Sequence, residues 1–166
     1  MKHLIIMKHT LLLALIAFGF STASTLSAAS VDDLDLVVLY DNGEPIGYQI
    51  YFYNSVLVGE LIIPAEYPYG DQGETLPIIE IEYSAFGDEY EITSVTIPGT
   101  VKTINEFAFY YCEGLESATL LEGVTYLGDA MFGYSIALTS VSLPQSLNRI
   151  GEAAFEYCES LTSITI

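Results

Sequence analysis

The chain has 166 residues, of which 22 are Asp or Glu and 4 are Lys or Arg, a formal net charge of −18. Hydrophobic residues make up 51% and charged residues 16%, which excludes the apolar-poor, highly charged composition of a disordered chain. So few cations also argue against nucleic acid or an anionic membrane surface as partner, since Lys and Arg hold both.

Residues 1–29 have the form of a secretory signal peptide. Lys2, His3, Lys8 and His9 give a basic start, Leu11 to Phe20 is apolar, and Ser27-Ala28-Ala29 is a small-residue exit. The apolar run is too short for a membrane anchor, which needs about 18 residues or more. Cleavage after Ala29 removes both histidines and leaves Lys102 and Arg149 as the cationic side chains. Without histidine there is no Ser-His-Asp triad, no Cys-His pair and no imidazole metal site. The sequence is therefore expected to be no enzyme, with no cofactor and no metal. A carboxylate pair survives in principle.

Residues 30–75 form the next segment. Leu34–Tyr40 and Tyr48–Tyr53 are rich in β-branched and aromatic residues, and Asp41-Asn-Gly-Glu between them carries a strong turn signal. This predicts a β-hairpin, followed by a strand over Gly59–Pro64 and a loop at Asp71–Glu74. Its expected role is an N-terminal β cap over the open end of a stacked core. The acidic residues crowd here, with no Lys or Arg from Asp32 to Glu91. Asp32, Asp33 and Asp35 make no calcium-loop pattern, so this acidity is expected to be a solvated surface.

From residue 76 to 166 the chain repeats with a period of 23. Units start near 92, 115, 138 and 161, and the register reaches back to Ile81, Ala85 and Phe86. Down the columns stand Val95, Ala118, Val141 and Ile164, then Ile104, Leu127 and Ile150, then Phe109, Phe132 and Phe155. In each unit a short strand has two inward apolar positions. Pro98 or Pro144 ends it, a second extended piece carries Leu147 or its equivalent, and a tight turn or short helix drops a Phe inward. No such unit buries its apolar face alone, so the units are expected to stack into a repeat solenoid with parallel β-sheet.

These units resemble the BspA-like, or treponemal, class of leucine-rich repeat, approximately LxxLxLPxxLxxIGxxAFxxCxxL. LTSVSLPQSLNRIGEAAFEYCESL, starting at Leu138, matches it almost position for position. The middle unit departs at Leu121, Met131 and Ser135, which stand for proline, alanine and cysteine. The resemblance implies a secreted or cell-surface protein, the periplasm remaining open, that binds other proteins or mediates attachment.

Cys112 and Cys158 occupy one repeat position two units apart, so their Cα atoms should lie roughly 10 Å apart, beyond bridging distance. Two free, buried thiols are expected. The outward strand positions place Ser94, Ser117, Ser140 and Ser163 beside Thr96, Thr119, Ser142 and Thr165, with Thr93, Glu116, Thr139 and Thr162 continuing the face. A second column, Tyr111, Tyr134 and Tyr157, falls on the turn side. Both columns are candidate partner-binding surfaces, set against the plain structural roles of strand hydroxyls and packed tyrosines. The expected ligand is a protein or glycan on a host or neighbouring cell, bound without catalysis. The alternative is a glycan-binding or carboxylate-dependent glycan-active protein. Leu161, Ile164 and Ile166 are expected to present an open apolar edge, covered either by a second copy in a homodimer or by further repeats. N-terminal sequencing of secreted protein should begin at Ser30; a retained Met1 contradicts the signal-peptide reading.

Overall fold

The computed structural model describes residues 34–53 and 57–166, and the expected signal segment lies outside them. Its elements are all strands: β1 Leu34–Asp41, β2 Glu44–Tyr53, β3 Gly59–Ile62, β4 Glu66–Tyr69, β5 Glu74–Ile81, β6 Ile92–Ile97, β7 Thr103–Ile104, β8 Ser117–Leu120, β9 Tyr126–Leu127, β10 Ser140–Ser142, β11 Arg149–Ile150 and β12 Ser163–Thr165. They form two sheets. One runs β1-β2-β5-β7-β9-β11, with β4 paired to β5, and the other runs β12-β10-β8-β6-β3. This is a repeat solenoid, each unit giving one strand to each sheet before turning back.

The hairpin forms as its sequence dictates. Asn42 and Gly43 take φ of 51° and 89°, the paired left-handed values that a two-residue turn between twisted strands requires. β1 and β2 are antiparallel, but β2 joins β5 in parallel, so the hairpin closes one end of the first sheet. Gln49 Nε2 donates to the Glu82 carboxylate at this junction.

The 23-residue period becomes the pairing register. Val95 lies beside Ala118, Ala118 beside Val141, and Val141 beside Ile164. In the first sheet Ile81 pairs with Ile104, Ile104 with Leu127, and Leu127 with Ile150. Inward residues of both sheets meet in a single core, where Ile97, Val101, Ile104, Val124 and Leu127 are fully buried. A spine of phenylalanines runs through it. Phe86, Phe109, Phe132 and Phe155 stack with centroids 4.8, 5.8 and 5.7 Å apart.

The segment expected to cap the solenoid also supplies its first unit. β3 pairs in parallel with β6, bringing Leu61 beside Val95 at a spacing of 34 rather than 23. Ile78, Ile81, Ala85 and Phe86 then fall back into step, all buried. The extra residues between β3 and β5 are taken up by β4, which folds antiparallel onto the start of β5.

The turns are a third ladder, and they contain no helix. N–H groups of Phe107, Phe109 and Tyr111 donate to the carbonyls of Asp129, Met131 and Gly133, and those of Ala130, Phe132 and Tyr134 donate to Glu152, Ala154 and Glu156. The chain reaches these partners by placing two columns of non-glycine residues in left-handed conformation. Ser84, Phe107, Ala130 and Ala153 form one, and Asp88, Tyr111, Tyr134 and Tyr157 the other. Gly128 and Gly151 permit the close approach of neighbouring units: a Cβ on Gly128 would lie 2.4 Å from the Asn105 carbonyl carbon.

Phe132→Ala removes the central ring of the spine and should cost about 3–5 kcal/mol, read as a lowered urea midpoint. Phe155→Ala, at a half-buried ring, should cost clearly less. Equal losses would contradict a spine whose inner members are held from both sides.

Candidate functional site

The strand register assembles the expected hydroxyl face. Ser94, Ser117, Ser140 and Ser163 stand in one row, and Thr96, Thr119, Ser142 and Thr165 in the next. Ser94, Thr96, Ser117, Thr119 and Ser140 are half-exposed, while Ser142, Ser163 and Thr165 are exposed. The flanking column is partly committed to structure. Thr139 Oγ1 donates to the Glu116 carbonyl at 2.9 Å, and Thr162 Oγ1 donates to the Thr139 carbonyl at 3.2 Å. The face also extends where the sequence did not place it, since β3 sets Glu60 beside Ser94 and Ile62 beside Thr96. The signal for β3 was present. Leu61, Ile63 and Pro64 follow the same apolar-x-apolar-Pro form as Val95, Ile97 and Pro98.

The tyrosine column forms a stack. Tyr111 and Tyr134 lie 4.6 Å apart at 15°, and Tyr134 and Tyr157 lie 4.6 Å apart at 24°. Tyr110 meets both Tyr111 and Tyr134 edge-on, at 4.8 and 5.5 Å. Because the inner faces cover one another, Tyr111 and Tyr134 are half-exposed, whereas Tyr157 at the end of the stack is 55% exposed. Tyr90 is equally exposed and its hydroxyl donates to Asp88 Oδ1 at 3.2 Å. Desolvation, then the neighbouring phenols, pushes the Tyr110 and Tyr134 hydroxyls above the ordinary tyrosine range. They remain protonated, so they both donate and accept hydrogen bonds.

The cysteine column explains its own residue choice. Cys112 Sγ donates to the Phe86 carbonyl, Ser135 Oγ to the Phe109 carbonyl, and Cys158 Sγ to the Phe132 carbonyl, at 3.1, 3.2 and 3.1 Å. Serine replaces cysteine because the position needs a small donor. Both thiols are free, as the repeat geometry required, although Cys158 is only partly buried. Burial pushes Cys112 up to about 12 and Cys158 to about 11, so neither is a nucleophile at neutral pH. In the first unit Glu89 takes this position, accepting the Leu57 N–H at 3.2 Å; burial, opposed by that bond, raises its carboxyl.

Among the described residues, no group of three or more His, Cys, Asp or Glu is placed to hold a metal. A depression of about 200 Å³ lies at the last unit, lined by Leu143, Pro144, Leu147, Ile150 and Ile166 among others. That is below the roughly 300–1,000 Å³ of small-molecule sites. What the arrangement offers is extended, regular surface.

Comparison with known proteins agrees with this geometry. The BspA type leucine-rich repeat region matches residues 79–166 in six copies. No curated protein matches the chain significantly. A leucine-rich repeat protein from Bacteroides capillosus superposes with a TM-score of 0.70 at 25% identity, over 82% of this chain and 96% of its own. One from Bacteroides ovatus gives 0.67 at 24% identity, over 84% of this chain and 41% of its own. A leucine rich cell surface protein from Faecalibacterium prausnitzii gives 0.61 at 24%, over 86% and 43%. This chain thus spans less than half the length of the last two.

Ser135→Ala removes the donor to the buried Phe109 carbonyl and should cost about 1–3 kcal/mol. Ser135→Cys restores both the donor and the residue standing in neighbouring units, so its denaturation midpoint should lie near that of the parent. A Cys variant as unstable as the Ala variant would refute this account.

Proposed function

The chain belongs to the BspA-type leucine-rich repeat family, and on that premise we propose that it is a secreted or surface-held interaction module whose repeat face engages another protein. The observation that carries the reading is the register of the second sheet. Four strands present matched Ser and Thr positions to solvent in two straight rows, beginning at Ser94 and Thr96. Such a surface suits the lateral docking of an extended partner, since contact accrues unit by unit. Export is supported by the signal pattern in residues 1–29 and by the relative named as a cell surface protein. The processed chain then begins at Ser30, and the β1–β2 hairpin serves as the cap of the first sheet.

Self-association of two copies is a further proposal. β12 pairs on one side with β10, and Ile164 and Ile166 are 46% and 79% exposed. Light scattering on the processed chain gives its mass; a monomer at all concentrations removes this proposal and leaves the binding face untouched.

The processed chain should bind saturably to at least one member of a matrix-protein panel. Ser117→Lys with Ser140→Lys, placed in adjacent strands of the face, should abolish that binding while leaving the thermal midpoint within a few degrees. Unchanged binding would move the site off the sheet. Binding to a glycan array alone would change the ligand class.

A further inference from the structure

The two cationic side chains among the described residues lie on one side of the solenoid. Lys102 immediately precedes β7, and its ammonium donates to the carbonyls of Gly99 and Gly123. Arg149 lies in β11 with its guanidinium 5.4 Å from the centre of the Tyr126 ring. Both therefore belong to the first sheet. The opposite border, where the tyrosine stack leads into the strands of the second sheet, is flanked by Asp88, Glu91, Glu113, Glu116, Glu156 and Glu159, all exposed.

Three kinds of group are contiguous there. The chain runs from each stacked tyrosine into the hydroxyl face within a few residues, from Tyr111 through Glu113 and Glu116 to Ser117. The Tyr90 hydroxyl donates to Asp88 Oδ1 at 3.2 Å, and Glu113 and Glu156 are exposed within two residues of the stack members Tyr111 and Tyr157. The stack supplies phenol groups in a row, and Tyr90 and Tyr157 supply exposed aromatic surface.

We propose that the partner docked along this border is cationic, engaging it through an arginine-rich segment. The inference rests on the reading of the repeat surface as a protein-binding face. A guanidinium matches all three groups: it forks onto carboxylates, donates to phenol oxygens and lies flat on tyrosine rings. Arg149 over Tyr126 is the same contact made within the chain. Lysine, a compact and strongly hydrated ammonium, matches the carboxylates alone. The border carries no cation that would repel such a segment, and its field should speed association at low salt.

The probe is a fluorescein-labelled dodecapeptide of alternating Arg and Gly, titrated by anisotropy against the processed chain at two salt concentrations. Saturable binding, weaker at high salt, is expected. Combined Glu113→Gln, Glu116→Gln and Glu156→Gln should weaken it about tenfold, the sum of three partly exposed pairs. Glu44→Gln, Glu66→Gln and Glu74→Gln, the same change of net charge at the N-terminal strands, should weaken it less than about twofold, since those charges lie away from the border. A Lys-Gly peptide should bind more weakly than the Arg-Gly peptide, and Tyr90→Leu with Tyr157→Leu should erase that difference. Equal weakening by both sets of glutamine variants, or no saturable binding, overturns the proposal. If the peptide fails while Ser117→Lys with Ser140→Lys still abolishes capture of the panel protein, the cationic partner is wrong and the binding face stands. If those lysine variants leave panel capture intact, the face itself is wrong.

Discussion

Everything in this molecule depends on a backbone constraint: each unit must present its peptide groups to the next at a displacement of 22 to 24 residues. Three ladders impose it together. One joins the strands β6, β8, β10 and β12, a second joins β5, β7, β9 and β11, and the third joins the turns through donors such as Phe109 N–H to Met131 carbonyl. An insertion inside a unit would break all three at once. The single tolerated excess, between β3 and β5, falls where the chain leaves one sheet before entering the other, and β4 absorbs it as a separate antiparallel strand. Side-chain repetition follows from this. A side chain that fits one turn must fit its copies, because each copy meets the same neighbours.

The turn ladder carries a conformational cost. Left-handed backbone at a non-glycine residue costs of order 1–3 kcal/mol, and each complete turn holds two such residues. Glycine would relieve that strain but would surrender the side chain, and the side chains here are occupied. Phe107 packs against Tyr83 and Tyr110, and Tyr111 and Tyr134 stack. Three forward hydrogen bonds per turn and a buried Phe between the two strained positions offset the cost. The same conformation recurs at Tyr111, Tyr134 and Tyr157, whose rings stack from unit to unit, so the aromatic stack is a product of how the turn closes.

The sequence made the solenoid legible because its core positions repeat as residues. Val95, Ile104 and Phe109 announce their places by recurring 23 positions on, and the Asn42-Gly43 turn announces the hairpin. β3 was legible only as an isolated strand, since its copy lies 34 residues away and Leu61 pairs with Val95 outside the period. The third ladder was hidden for a different reason. Its donors are backbone amides, and after Ser84 and Asp88 in the first turn its left-handed residues are Phe, Tyr and Ala, which carry no turn signal. The cysteine position announces only a free, buried thiol; its hydrogen bond to a Phe carbonyl is legible in the fold, where Ser135 makes the same bond. Of the candidate face, the strand rows followed from alternation, whereas the diversion of Thr139 and Thr162 into carbonyl contacts did not.

Charge and architecture are linked through the same repetition. A solenoid multiplies whatever its outward positions carry, so a row of hydroxyls becomes a face and one tyrosine becomes a stack. Acidic residues at outward turn positions such as Glu113, Glu156 and Glu159 likewise become a border of one sign. Self-repulsion along such a border opposes stacking of the units, but the exposed carboxylates are hydrated and screened within about 10 Å at moderate salt. The core contacts are not screened in that way. Stability therefore resides in the spine and the ladders, and the surface is free to vary in what it binds. The invariant part of the unit specifies the scaffold. Specificity belongs to the positions where copies differ, and Glu116 among threonines and Ile136 among glutamates are two of the exposed sites at which the middle units depart from their neighbours.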